Sequence, residues 1–152
     1  MKVRADEHAS PEIVRAIRDM ILSAGWELTS VLEHDRGADD VHWITSFARE
    51  GGQAIVSADT DFFKVPQQVV AVADTGLKVI HLPAKWAHAA CHLQAAHLLL
   101  WWRRIERCIE TMSPRQCYRP RWNIDETGAL TEVPMDFQTA HRKARQAKRD
   151  RT

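Results

Sequence analysis

Cysteine is scarce in this chain and poorly spaced for structural use. Cys91, Cys108 and Cys117 are odd in number and form no CxxC pair, which argues against a disulfide framework and a thiolate zinc site. No apolar run approaches the ~20 residues of a membrane span. The opening segment MKVRADEHAS lacks the basic-then-apolar layout of a signal peptide. A soluble, cytoplasmic protein with no membrane partner is therefore expected. A Walker-type glycine loop is missing, as is any Ser/His/Asp or Cys/His nucleophile arrangement. His88 and His92 stand one helical turn apart, but no HExxH glutamate or third ligand accompanies them, so they read as structural or surface residues. No internal repeat is present.

The 152 residues are enough for one domain with a single core. Their net charge of +1 hides an asymmetry. Residues 1–75 carry 13 acids and 7 bases, a net of −6, while residues 76–152 carry 7 acids and 14 bases, a net of +7. An acidic half beside a basic half suits a cation site next to a phosphate-attracting surface, although a chance distribution of solvated charges would look the same.

Lys2–Ala5 reads as a first strand, in which Arg4 is awkward for a buried central position. Ser10-Pro11-Glu12 is a helix start, with a capping hydroxyl, a proline suited to the first turn and an acid at the positive end of the dipole. Ile13, Val14, Ile17, Met20 and Ile21 follow at helical spacing, with Gly25 as the stop. Trp26–Leu32 alternates as a second strand. Beyond the polar loop Arg36–Asp40, Trp43, Ile44, Phe47 and Ala48 mark one face of a helix ended by Gly51-Gly52. Gln53–Ser57 reads as a third strand, Val65–Val72 as a short amphipathic piece, Asp74-Thr75-Gly76 as a turn and Leu77–Leu82 as a fourth strand. Strands alternating with helices predict an α/β fold with a mainly parallel sheet between helical layers. One long helix is expected over about Lys85–Glu110, with a core stripe at Cys91, Ala95, Leu98, Trp102, Ile105 and Ile109; its exposed remainder could support a homodimer. Arg115–Trp122 and Asn123–Val133, turning at Glu126-Thr127-Gly128, predict a small C-terminal hairpin, and from Ala140 the chain reads as a basic, nearly core-free tail.

Acids recur where these elements begin or end. Asp6-Glu7 follows the first strand, Asp40 opens a helix, and Asp59 and Asp61 follow the third strand in QAIVSADTDFF (Gln53–Phe63). Carboxylates a few ångströms apart raise one another's pKa and stay ionised together only with a cation between them. Hard oxygen ligands select Mg²⁺ or Mn²⁺ over Zn²⁺. Asp6, Asp40, Asp59 and Asp61 are the candidate ligand set, with Glu7 able to join through water. Each acid also has a structural explanation: Asp40 and Asp61 as helix caps, Asp59 in an Asx-type bond, Asp6-Glu7 as solvated acids. Their recurrence at three element ends of one α/β domain favours a metal site.

The same segments carry a resemblance. ADEHASPEIVRAIRD (Ala5–Asp19), ADDVHWITSFAREGG (Ala38–Gly52) and AIVSADTDFF (Ala54–Phe63) resemble the compact PIN-like domains related to VapC-type toxins. In that family an Asp-Glu pair ends the first strand, an Asp precedes a helix of the form DxxWI, and a (T/S)xDxDF segment ends a later strand. All three occur here in that order, within about Lys2–Leu82. The resemblance implies a three-layer α/β/α sandwich over residues 1–113, with residues 114–152 adding a hairpin and basic tail. It also implies a Mg²⁺- or Mn²⁺-dependent ribonuclease, typically the toxin of a toxin–antitoxin pair, so RNA and an antitoxin protein would be its partners. Carried over by motif, Asp6, Asp40, Asp59 and Asp61 would be the catalytic acids, with Glu7 beside the first. Ser57, at the hydroxyl position of the T-x-D motif, would orient a carboxylate or a water. An activated water would attack the phosphodiester in line, leaving a 5′-phosphate and a 3′-hydroxyl. Arg4 before the first acid, His8 where Asn is common and Ser57 in place of Thr depart from the family's usual pattern.

WWRRIER (Trp101–Arg107) and CYRPRW (Cys117–Trp122) mix Arg with aromatics, a composition that suits single-stranded nucleic acid. Trp102 and Ile105 fall on the core stripe, which leaves Arg103, Arg104, Arg107, Arg119 and Arg121, with Tyr118, as candidate nucleic-acid contacts. The tail AHRKARQAKRDRT could add salt-sensitive phosphate affinity, be a solvated end, or contact a partner. Three functions compete: a metal-dependent nuclease, a catalytically weak RNA- or protein-binding module, and a metal-dependent phosphatase or receiver-like domain. The last would use a DxD after the first strand or a Lys after a later one, where this chain has Asp-Glu-His and only Lys85.

Overall fold

A computed structural model describes residues 1–123 and 128–152. Six short strands form one sheet: β1 (Lys2–Ala5), β2 (Glu27–Ser30), β3 (Ala54–Ser57), β4 (Lys78–His81), β5 (Cys117–Arg119) and β6 (Thr131–Val133). Their order is β2-β1-β3-β4-β5-β6, and every pairing is parallel except the last. The chain is thus α/β with a mainly parallel sheet. The C-terminal hairpin is continuous with that sheet, because β5 pairs with β4 as well as with β6. Of the turn read at Glu126-Thr127-Gly128, the first two residues lie outside the described ones.

Helices cover both faces. α1 (Pro11–Met20) and α6 (Cys91–Thr111) pack on one side, where Ile13, Ile17, Leu98, Trp101, Trp102 and Ile105 meet Val3, Val56 and Ile80. α3 (Asp40–Arg49) and α4 (Pro66–Thr75) pack on the other, where Trp43, Ile44, Phe47 and Val72 meet Ile55 and Val79. Strand residues alternate between the two clusters because successive side chains leave opposite faces. Each fully buried Ile or Leu contributes about 1.5–3 kcal/mol, so the three-layer arrangement follows from the two apolar faces of the sheet.

Local chemistry sets the element ends, and in several places shifts them. Ser10 caps α1 by accepting from the Ile13 N–H, but the helix ends at Met20, not at Gly25. The second strand stops at Ser30, because Ser30 caps a single turn, α2 (Val31–His34), through a reciprocal capping box with Glu33. α4 runs through Thr75 and ends on Gly76, whose φ of 75° is the left-handed cap that glycine adopts without penalty. The long helix is two: α5 (Ala84–His88) and α6, separated by Ala89 and Ala90 in extended geometry. Cys91, read as part of the core stripe, is exposed, whereas Trp101 is buried. The basic tail is a helix, α7 (Phe137–Asp150), capped by Asp136 and packed on α4 with Ala140 buried.

Arg4 sits on an interior strand and is 3% exposed. Its guanidinium is satisfied there. Nε donates to Thr29 Oγ1 at 3.0 Å, Nη1 and Nη2 face Asp35 and Glu50 at 3.4 and 3.6 Å, and the group lies 4.6 Å from the Phe47 ring centroid. A buried cation is tolerated when paired and hydrogen-bonded in this way.

Candidate active site

In an open parallel sheet, ligands bind beyond the carboxyl ends of the strands, at the point where the strand order reverses. Here that point lies between β1 and β3, since β1 leads outward to β2 while β3 begins on its other side. At the carboxyl ends of those two strands stand Asp6 and the Ser57–Asp59 segment.

The backbone N–H of Asp6 donates to the Val56 carbonyl at 3.0 Å, which extends the β1–β3 ladder and sets Asp6 beside Ser57. Asp6 is 3% exposed. Its Oδ2 accepts from Ser57 Oγ at 2.5 Å, and its Oδ1 accepts from the backbone N–H groups of His8 and Ala58 at 3.1 and 3.3 Å. Burial raises the Asp6 pKa, against the lowering effect of these hydrogen bonds and of His8. Ser57 Oγ in turn accepts from the Asp59 N–H at 3.2 Å. The hydroxyl therefore links the Asp6 carboxylate to the backbone of Asp59.

Asp59 is half-buried, and its Oδ1 accepts from the Asp61 N–H at 2.8 Å, an Asx-type bond that turns the chain out of β3. Its carbonyl accepts from His81 Nε2 at 2.8 Å. Asp61 is 63% exposed, makes no capping bond and pairs with Lys64 at 3.0 Å. Glu7 is also exposed, with its carboxylate 3.9 Å from His8 Nε2. Neither forms a hydrogen bond with Asp6 among the described residues.

Asp40 does not cap its helix. Asp39 does, accepting from the His42 N–H at 2.8 Å. Asp40, in the first turn, instead accepts from Trp43 Nε1 at 2.9 Å and from Gln68 Nε2 at 2.6 Å, tying α3 to α4 on the face that Ser57 and His81 also use. Gln68 is buried, and its Oε1 has no partner among the described residues.

His81 is the functional candidate that sequence reasoning missed. It ends β4 directly opposite Ser57. Its Nδ1 faces Arg119 Nη2 at 2.7 Å. Arginine offers only donors, so Nδ1 accepts and Nε2 carries the proton given to the Asp59 carbonyl. Burial lowers the His81 pKa and Arg119 lowers it further, while the Asp59 carbonyl and carboxylate oppose the shift. The ring packs edge-on against Phe63 at 4.8 Å. Lone histidines at strand ends carry no sequence signal; the spacing of His81 from Ser57 becomes meaningful only once the β3–β4 register is known.

The carboxyl edge thus reads Asp6, Ser57, His81, Arg119 across four adjacent strands, from acid to base. Arg119 is the one sequence-predicted arginine that reaches this edge, and its Nε is buried without a partner among the described residues. Arg103, Arg104 and Arg107 lie on α6, on the opposite face of the sheet, and Arg121 is exposed beyond β5. Burial pushes the Cys108 and Cys117 thiols up to about 11 and about 12, so neither is a thiolate nucleophile at neutral pH.

The carboxylate oxygens are the donor type that Mg²⁺ and Mn²⁺ take. As placed, however, no three His, Cys, Asp or Glu residues among the described ones form a group that could hold a metal ion. Both oxygens of Asp6 and of Asp40 are already engaged by protein donors. No helix among the described residues is long and apolar enough to cross a membrane.

In comparison with known proteins, the family model described as a PIN like domain matches residues 1–84. That stretch contains β1 to β4 and the acids Asp6, Glu7, Asp40, Asp59 and Asp61, but neither α6 nor Arg119. No curated protein and no solved structure showed significant similarity to the chain.

Proposed function

The chain belongs to the PIN-like domain family, whose members are generally nucleases, and from that premise we propose that it is an endoribonuclease acting at the carboxyl edge of its sheet. The observation that carries this reading is the Asp6–Ser57–Asp59 linkage at the β1/β3 switch point, with Asp40 held on the same face. It places acids where an α/β sheet binds its ligand. The proposed cofactor is Mg²⁺ or Mn²⁺, which would supply an activated water and screen charge at the phosphodiester. Asp6, Asp40 and Asp59 are the residues that would hold it, which requires Asp6 and Asp40 to exchange protein donors that now engage both their carboxylate oxygens for the cation, with Asp61 and Glu7 at the exposed margin. Ser57 fixes the Asp6 carboxylate, His81 fixes the Asp59 turn, and Arg119 brings positive charge to the end of the row, where a phosphate would be drawn.

The toxin role is part of the same proposal: RNA as substrate, a cognate antitoxin as protein partner, and the cytoplasm as the place of action. A second reading, a catalytically weak RNA-binding module, is favoured by one observation, that no three His, Cys, Asp or Glu residues among the described ones gather into a group able to hold a metal ion. Cleavage of a panel of single-stranded RNA, tRNA and DNA, with Mg²⁺, with Mn²⁺ and with EDTA, separates the two. Cation-dependent cutting of RNA that Asp40→Ala and Asp59→Ala both abolish is the expected result. Salt-sensitive RNA binding without cutting would replace the nuclease with the binding module. Equal growth inhibition by wild type and Asp6→Ala on expression would remove the toxin role.

A further inference from the structure

A cavity of 660 Å³ opens on the α6 face of the sheet, away from the acids, between the C-terminal half of α6, Tyr118 of β5 and the segment 128–130. Arg103, Arg104 and Arg107 line it together with Tyr118, Met112 and Leu130, and no acid among the described residues does. Arg104 is held in place: its guanidinium carbon lies 3.7 Å from the Trp101 ring centroid and its Nη1 donates to the Gly128 carbonyl at 3.0 Å. Arg103 donates to Ser23 Oγ at 3.0 Å. The volume falls within the roughly 300–1,000 Å³ of ordinary ligand sites. A ligand that complements this wall must bring negative charge at the arginine rim and a planar, weakly polar body for the floor.

We propose that the cavity seats one unpaired nucleotide of a single-stranded RNA, with its phosphates on Arg103 and Arg107 and its base between Arg104 and the Tyr118–Met112 floor. A nucleotide carries both required parts in one unit, and guanidinium planes serve bases and phosphates alike. An acidic peptide brings carboxylates without the planar body, and a duplex keeps its bases stacked and cannot deliver one. Tyr118 and Arg119 are consecutive in β5 and leave opposite faces of the sheet, so this cavity is a site separate from the carboxyl edge. The choice of RNA rests on the nuclease reading; the cavity and its charge do not.

The test is fluorescence anisotropy of a labelled single-stranded RNA in EDTA, with the full chain, over a salt series. Arg107→Glu is expected to weaken binding roughly tenfold and to lower the salt slope by about one. Thr111→Trp, which places an indole at the cavity wall, is expected to weaken binding as well while leaving the unfolding midpoint unchanged. The duplex of the same sequence is expected to bind less tightly, and adenosine monophosphate to compete only at much higher concentration. Equal affinity for single strand and duplex, indifference to both substitutions, or displacement of the RNA by oligoglutamate at lower concentration than by unlabelled RNA would overturn the proposal. Binding is read without turnover, so its failure is separable from that of the nuclease. A chain that never cuts RNA but loses affinity on Arg107→Glu keeps this site. One that cuts RNA and binds it unchanged after Arg107→Glu does not have it.

Discussion

Ser57 Oγ donates to Asp6 and accepts from the Asp59 N–H, so Ser57→Ala removes a donor from a buried carboxyl and an acceptor from a turn. The expected cost is about 1–3 kcal/mol, because the Asp6 oxygen keeps its desolvation penalty without its partner; urea unfolding reads it directly. Ser57→Thr, the residue usual in the family at this position, should retain most of the stability. His81 tests positioning and not bulk packing. His81→Ala leaves the Asp59 carbonyl and the Arg119 guanidinium without their shared partner, and small displacements of reacting groups cost roughly 10- to 100-fold in rate. If cleavage is established, His81→Ala should lower kcat by that order with little change in KM, and His81→Gln, whose amide can donate where Nε2 did, should recover much of it. A variant pair that loses activity equally would make His81 a packing residue only. At this scale the sequence was legible for Asp6, Ser57 and Asp59, whose spacing follows a strand end. His81 and Arg119 were not joined by it, because 37 intervening residues and a strand register separate them.

The start of α3 shows how an element's own needs decide which acid is left over for chemistry. Two aspartates stand side by side, and Asp39, in extended geometry, takes the cap. Asp40, one residue into the helix, is thereby released to bridge Trp43 and Gln68. Asp39→Ala should destabilise the fold by about 1 kcal/mol, the ordinary cost of a lost N-cap, while leaving RNA cleavage per folded molecule unchanged. Asp40→Ala should instead abolish cleavage. The reverse pattern in a paired unfolding and activity assay would transfer the site to Asp39. Elements that end on local chemistry, such as α1 on its Ser10 cap, were readable from sequence. Those decided by tertiary contact were not. The break at Ala89–Ala90 carries no glycine or proline, and the tail's charge concealed a helix whose Ala140 face packs on α4. Likewise β5 looked like half of a free hairpin, because nothing local announces that Cys117 and Tyr118 pair in parallel with Val79 and Ile80.

Across the whole molecule, the acidic first half and the basic second half are folded into one sheet, and acid stability reports how that sheet is closed at its C-terminal side. His97 on α6 stacks between Trp101 and Trp122, at 6.1 and 5.2 Å, and its Nε2 meets the Arg121 carbonyl at 2.6 Å. Nε2 is therefore the protonated nitrogen, and Nδ1 is buried with no partner among the described residues. Burial lowers the His97 pKa and Arg104 adds to the shift, while the Arg121 carbonyl opposes it. A second proton on the ring would put an N–H where no acceptor waits and a positive charge beside a guanidinium. Above the ordinary value of 6.5 the ring is neutral in both native and unfolded chains and stability is at its full level. As pH falls below 6.5, the unfolded chain takes up the proton first, so the native state loses stability until its own lower pKa is reached. His81 adds a loss of the same sign, and Asp6, with a raised pKa, works in the opposite direction as pH falls through that raised value. Urea midpoints measured from pH 8 down to pH 5 should therefore fall on the acid side in the wild type. They should fall less in His97→Gln, which keeps a donor for the Arg121 carbonyl but cannot be charged. If the two proteins lose stability in parallel, the ring is titrating freely and the aromatic stack that joins α6 to the end of β5 is open in solution.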